Sequence, residues 1–366
     1  MHRGLTAEID LDAALYNLTS LKAAAGGLPV IAVVKADAYG HGAVELSRLY
    51  QKAGVHALAV AFLSEARQLR EAGVTAPVLV LFDRSEVKDY FALGLTPVIH
   101  DADTARAFSE EASRGGTVLD VHVKVDTGMG RMGMPPLPEE VLSVARLPGL
   151  RVAGLMTHFS EADLADGEFM AVQLRRFHSL REALAGAGLT PLCHVANSAA
   201  CLAFRESHLD ALRPGLALYG ESPFEDGREG LAPLKPVMTV KARVLALRRM
   251  GAGQPVSYGR TFVTKRDTLA AVLAVGYAEG FSRRFSNTGH ALLGGTRAPV
   301  MGRVCMDLVV VDATEAQGVR EFDEAVLLGA QGDERITAWE LARTASTIPY
   351  EILCSLGRGA RRAYTG

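Results

Sequence analysis

The strongest constraint in this chain is a rhythm. Over its first two thirds, short apolar runs alternate with amphipathic stretches, eight times over. The runs are 30–34, 57–62, 78–82, 96–99, 118–125, 152–156 and 192–196, with a short eighth before Arg213. Between them, stretches such as 43–52, 64–72, 104–113 and 169–187 place apolar residues three and four apart, the spacing of one helix face. Eight strand–helix units of roughly 20–30 residues each predict a TIM-like (β/α)8 barrel. A doubly wound sheet is the competing arrangement, but no GxGxxG follows the first run.

The rhythm breaks near Pro233-Leu234-Lys235-Pro236. Strand-like runs at 237–244, 268–275 and 304–311 then follow one another without long helices, separated by turns such as Gly251-Ala252-Gly253 and Gly294-Gly295. This predicts a second, mostly β domain closed by short helices near 338–344 and 350–356. A chain of 366 residues exceeds what one core usually serves. The expected division is a barrel over 1–232 and a β domain over 233–366, with a strand-like segment at about 5–10.

Several function classes recede at this stage. The net charge is −2 with no long run of one sign, which argues against nucleic acid and membrane surfaces as partners. No apolar run approaches membrane-spanning length, and no apolar stretch follows Met1-His2-Arg3-Gly4 to suggest a signal peptide. Cys193, Cys201, Cys305 and Cys354 form no CxxC pair, so a reducing cytoplasm is the expected compartment. The histidines show no HExxH, and no metal is expected.

Barrel enzymes place their chemistry at the C-terminal ends of the strands. Here those ends carry polar residues: Lys35 after the first run, Lys124 in the fifth, His158 after the sixth, Asn197-Ser198 after the seventh and Arg213 after the eighth. Lysine is scarce, eight against 31 arginines, yet one follows Val-Ile-Ala-Val-Val directly. Desolvation there would lower its pKa and suit it to attack an aldehyde. Position alone leaves open a lysine that snorkels out of the mouth. Loops after the last two strands of such barrels often hold phosphate. Ser198 begins one helix-like segment and Arg213-Pro214-Gly215-Leu216 opens another, although an N-cap and a turn would read the same way. Taken with Lys35, they suggest a phosphorylated aldehyde cofactor.

These residues resemble a known family. The stretch Lys35-Ala36-Asp37-Ala38-Tyr39-Gly40-His41-Gly42 is similar to the pyridoxal phosphate attachment motif of alanine racemases. The resemblance continues, in order, through Lys124–Gly133, Met156-Thr157-His158-Phe159, His194-Val195-Ala196-Asn197-Ser198 and Arg213-Pro214-Gly215. It extends to Ser257-Tyr258-Gly259-Arg260, Tyr277, Cys305-Met306-Asp307 and Tyr350. It implies an α/β barrel whose N-terminal strand joins the β domain, and an enzyme that interconverts L- and D-alanine, supplying D-alanine for peptidoglycan. It implies pyridoxal 5'-phosphate as cofactor, carried by Lys35. Lys35 would be the base for D-alanine and Tyr258 the base for L-alanine, with His158 and Arg213 in the network that lowers the phenol's pKa. Arg213 would face the pyridine nitrogen. Arg131 and the Met306 N–H would bind the substrate carboxylate, with Tyr277 narrowing the entrance. Tyr39, Ser198, Gly215, Leu216 and Tyr350 would hold the phosphate, Asn197 would stand beside them, and Lys124 is a candidate for carbamylation. The resemblance also implies a homodimer with shared active sites.

Two other readings stay open on sequence. A racemase of broader or serine-preferring specificity would carry the same pair of bases. A non-catalytic pyridoxal phosphate-binding protein would share the barrel but lack the second domain.

Overall fold

The computed structural model describes residues 4–164, 167–226 and 230–366. Met1, His2 and Arg3, read above for a leader, lie outside them. Strand β1 (Leu5–Asp10) leads directly into a helix, Leu11–Ala24, whose N-terminus is capped by the Asp10 carboxylate accepting from Ala13 N–H at 2.8 Å. A barrel of parallel strands follows: β2 (Ile31–Val33), β3 (Ala57–Val60), β4 (Val78–Val80), β5 (Thr96–Ile99), β6 (Leu119–Lys124), β7 (Leu150–Met156) and β8 (Leu192–His194), each paired with the next. Their near-continuous Val, Ile, Leu and Ala fit strands covered on both faces.

The eighth strand is reduced to a single bridge, Val30 to Leu212. The segment around it still closes the ring. Ile31 N–H donates to Leu212 O at 2.8 Å and Val33 N–H to Pro214 O at 3.0 Å, while Arg213 N–H donates to Ala196 O at 2.9 Å. Pro214 has no N–H to extend the ladder, so the stave ends where Arg213 must turn inward.

The β domain is organised by β9 (Met238–Met250), a 13-residue strand. One stretch of it pairs antiparallel with β1 and with the strand Glu324–Gln331; its far end pairs with Thr268–Leu273. The N-terminal strand therefore joins this domain, as the resemblance implied. Its other neighbour is the strand Arg361–Thr365, which pairs with it in parallel. The run expected at 304–311 is a strand only from Val309. Upstream, a turn closed by Cys305 N–H donating to Leu308 O at 2.9 Å breaks the ladder. The two closing helices run over Ala338–Ala345 and Pro349–Gly359, and the second packs against the segment after β2. No described helix is long and apolar enough to cross a membrane.

Asn17 stitches the two parts together. Its fully buried amide donates to Leu218 O at 3.2 Å and Lys235 O at 2.8 Å and accepts from Lys235 N–H at 2.7 Å. Asn17→Ala leaves those backbone groups without partners. It should lower stability by roughly 2–4 kcal/mol, read from denaturant unfolding of the purified protein.

Candidate active site

Lys35 leaves β2 through an uncommon backbone. Ala36, Asp37, Ala38 and Tyr39 all have φ between 53° and 55°, one turn of left-handed helix without a glycine. Such a turn needs outside support. Glu65 Oε1 accepts from Ala36 N–H at 2.6 Å, and Asp37 Oδ1 accepts from Ala43 N–H at 2.7 Å. The buried His41 ring donates from Nδ1 to Ala38 O at 2.9 Å and stacks on Tyr219. Arg362, from the C-terminal strand, pairs with Asp37 at 2.5 Å and donates to Gly40 O at 2.8 Å. The turn places Lys35 and Tyr39 on one pocket.

That pocket, of about 320 Å³, lies in the range usual for small-molecule sites. Lys35, Tyr39, Lys124, Arg131, His158, Asn197, Ser198, Arg213, Gly215, Leu216 and Tyr350 all line it. Lys35, Lys124 and Arg131 surround the Phe82 ring, at 5.4, 5.7 and 5.8 Å from its centre. Burial first, then the charge of Arg131, holds the Lys35 amine below the usual lysine range; Glu65 opposes this. Burial, Arg131 and Arg213 pull Lys124 down to about 8. Among the described residues no carboxylate lies within ion-pair distance of Lys124, because Asp126 is committed to its own loop. The Asp126 carboxylate accepts from the N–H groups of Gly128, Met129 and Gly130 and so shapes the loop carrying Arg131.

Arg213 is buried, and both of its terminal nitrogens are engaged. It donates to His194 Nδ1 and His194 O at 2.9 Å each, to Thr157 O at 2.7 Å and to His158 Nδ1 at 3.2 Å. Burial lowers its pKa to about 10, which leaves it charged at neutral pH. Guanidinium only donates, so Nδ1 of His158 must be a lone pair and its proton sits on Nε2. Burial and the charge of Arg213 push His158 well below the usual histidine range and keep it neutral.

The far end of the pocket fits a phosphate. Asn197, not Ser198, caps the helix Ser198–Ala203, accepting from Ala200 N–H at 3.0 Å. This frees Ser198 Oγ to accept from Gly215 N–H at 2.9 Å and Ala217 N–H at 3.1 Å. With both lone pairs used, its own hydrogen is left to donate. A Cβ on Gly215 would sit 2.3 Å from Tyr39 Oη, so only glycine permits that phenol to close the cradle. Burial drives Tyr39 upward and Tyr350 up to about 12, which keeps both phenols protonated as donors. A doubly charged anion with an aldehyde at its other end, toward Lys35, matches this donor set.

Tyr258, Tyr277 and Met306 do not line this pocket. They are 70, 44 and 52% exposed on the β domain. Three loops bring them onto one face. Ser257 Oγ donates to Arg303 O at 2.6 Å, Tyr277 N–H to Cys305 O and Ala278 N–H to Met306 O, both at 3.0 Å. Ser257 and Arg260 flank Tyr258 with φ of 60° and 48°, so the phenol is presented by a strained turn. Sequence reasoning missed Glu65, Phe82 and His122. Glu65 carried one signal, a glutamate three residues after Phe62 where a helix begins, which caps the Phe62 N–H at 3.1 Å.

An α/β barrel with a lysine after its first strand and an anion cradle after its last, followed by a β domain, defines a class of barrel enzymes that carry pyridoxal phosphate. Residues 9–223 match the alanine racemase N-terminal domain family and residues 237–364 the alanine racemase C-terminal domain family. The chain belongs to the alanine racemase family. Relatives named alanine racemase include one from Thermodesulfovibrio yellowstonii, 47% identical over all of this chain and 98% of that protein. Another, from Carboxydothermus hydrogenoformans, is 42% identical over 99% of this chain and all of that protein. The crystal structure of alanine racemase from D-cycloserine-producing Streptomyces lavendulae superposes with a TM-score of 0.92 at 33% identity, covering 99% of this chain and 97% of that one. The alanine racemase from Bacillus anthracis with bound L-Ala-P gives 0.92 at 32%, covering 100% and 96%.

Glu65→Gln keeps an acceptor for Ala36 N–H, loses the one that serves the Ala61 and Phe62 N–H groups, and removes the charge that raises the Lys35 pKa. In cofactor-free protein, the pH midpoint for acylation of Lys35 by a small anhydride should therefore fall. A midpoint that stays put would mean Glu65 acts only on the backbone.

Proposed function

We propose that the chain interconverts L- and D-alanine with pyridoxal 5'-phosphate, and that D-alanine for peptidoglycan is its product. The observation that carries this reading is that Lys35 and the Ser198–Gly215 cradle open on one pocket, in a chain of this family. When bound, the cofactor supplies an electron-poor ring that takes up the electron pair left by the departing α-proton. The residues of this chain do the rest.

Lys35 holds the cofactor aldehyde between turnovers, and its amine moves a proton at one face of Cα once substrate has displaced it. Burial shifts its pKa downward, the direction that suits a base. Tyr258 moves the proton at the opposite face. Ser198, Tyr39, Tyr350 and the Leu216 N–H would hold the phosphate, with Gly215 giving the close approach and Asn197 fixing the helix behind them. Arg213 would face the ring nitrogen, and because a guanidinium only donates it could meet that nitrogen only as a lone pair, which would restrain side reactions. His158, with its proton on Nε2, is a donor toward the Tyr258 oxygen. Arg131 and Met306 N–H take the substrate carboxylate, and Tyr277 narrows the approach.

Lys124 reacts with carbon dioxide through its accessible neutral form. The amine nitrogen bonds to carbon and releases one proton, giving a carbamate anion between Arg131 and Lys35. That change replaces one of four crowded cations with an anion. Labelled bicarbonate should give a carbamate carbon signal that Lys124→Ala removes.

The bases stand on different parts of the fold: Lys35 in the barrel pocket, Tyr258 on an exposed β-domain face outside it. We take the unit as a two-fold homodimer in which each pocket is completed by the partner's β domain. The free thiols of Cys193, Cys201, Cys305 and Cys354 suit a reducing cytoplasm. Racemisation followed by circular dichroism across several L-amino acids tests activity and its strictness. Tyr258→Phe should cost a factor of roughly 10²–10⁴, and Lys35→Ala should be nearly inactive. Co-refolding the two should return about a quarter of wild-type activity, since half the dimers are mixed and each then has one intact site. Mixed dimers without recovered activity would place both bases on one chain.

A further inference from the structure

Below Arg213 a polar chain continues into the barrel. His194 Nε2 lies 2.8 Å from His122 Nδ1, both rings are buried, and His122 belongs to β6. A barrel interior is normally packed with branched apolar side chains. The donor-only guanidinium fixes the protons along the line. His194 Nδ1 faces Arg213 and must be a lone pair, so His194 carries its proton on Nε2. That N–H points at His122 Nδ1, which must therefore accept, leaving the His122 proton on Nε2. Burial holds His194 well below the usual histidine range and His122 at about 4, so both rings are neutral. Besides His194, the charged and titratable groups acting on His122 are Arg213, His56 and Asp120.

The fold makes room for this ring. His122 is registered opposite Gly154 on β7, immediately after an irregularity that leaves Ala153 unpaired. A Cβ on Gly154 would fall 2.3 Å from His122 Nδ1 and 2.4 Å from Cγ, on the ring itself. Shifting the ring would break the 2.8 Å contact to His194. Glycine in a strand is unfavourable and often marks such a close approach.

We infer that His122 is a positioning residue for the racemase: with the His194 tautomer set by Arg213, its Nδ1 accepts the His194 Nε2–H and so holds that ring, and through it the aim of Arg213 at the cofactor. The proposal rests on the function above for the identity of what Arg213 meets; the order of protons does not.

Selective ¹⁵N-histidine labelling of cofactor-free protein reads the tautomers directly. His194 should be protonated on Nε2 in the wild type; a proton on Nδ1 overturns the proposal whatever the variants do. In His122→Leu the His194 N–H loses its acceptor, and pyridoxal phosphate titration should show affinity down about tenfold, the scale of one orphaned buried donor. His122→Asn offers an amide oxygen near the Nδ1 position and should restore the hydrogen-bonded His194 Nε2 signal and most of the affinity. Gly154→Ala should resemble His122→Leu. Equal losses in the Leu and Asn variants would reduce His122 to a space filler, and a wild-type His194 Nε2 signal and affinity in His122→Leu would also overturn the proposal. Absence of racemisation in the wild type, with the His194 tautomer and cofactor affinity as expected, would count against the assigned reaction and leave the order of protons standing.

Discussion

The left-handed turn at 36–39 is the constraint on which the rest depends. Four successive side-chain-bearing residues in that region cost on the order of 4–8 kcal/mol if each costs about 1–2. The chain offsets this with anchors from four places: Glu65 on the first N–H, Asp37 reaching Ala43, His41 on the inner carbonyl and Arg362 on the outer one. The strain has a geometric return. An ordinary right-handed turn after β2 would swing residues four apart onto a helix face. The left-handed turn instead puts the Lys35 amine and the Tyr39 phenol at opposite ends of one small pocket.

The pocket's electrostatics follow from that arrangement. Lys35, Lys124, Arg131 and Arg213 converge on it, and the acidic residues closest to them, Glu65 and Asp126, are spent on backbone N–H groups. The histidines near the arginine are neutral by burial, so they hydrogen-bond without adding charge. Burial first, and then repulsion between the cations, lowers the lysines, while Arg213 stays charged at neutral pH, which sorts reactive amines from a fixed donor. An anion with an electrophilic carbon satisfies both sorts at once.

Much of this was legible in the sequence, and the limits are instructive. Barrel strands stood out because covered strands need unbroken apolar runs, and polar residues at their ends marked the mouth. The eighth stave showed only as a short run, because Pro214 halts the ladder where Arg213 begins its work. The strand Arg361–Thr365 was missed since Arg-Arg-Ala-Tyr-Thr is half exposed and lacks strand periodicity; its place depends on β1, far away in the chain. The left-handed turn was invisible because Ala36, Ala38 and Tyr39 are not residues that favour such φ values. Tertiary anchors decide there. His122 was passed over as one polar residue in an alternating strand, and its meaning emerges only with Gly154 opposite and His194 above.

The parallel pairing of β1 with the strand Arg361–Thr365 has a consequence for biogenesis. The barrel is inserted between two pieces of one sheet, so it can emerge from the ribosome and collapse while that sheet still lacks a neighbour. Arg362, which grips Gly40 O, is made 322 residues after it. At ordinary elongation rates of about 5–20 residues per second, tens of seconds separate the reactive lysine from the strut that sets its turn. During that interval the nascent chain would hold an amine without a fixed aim, and free aldehydes in the cell would meet an unfinished site. Long-range closure thus acts as a timer: the turn is locked only after the rest of the molecule has been written.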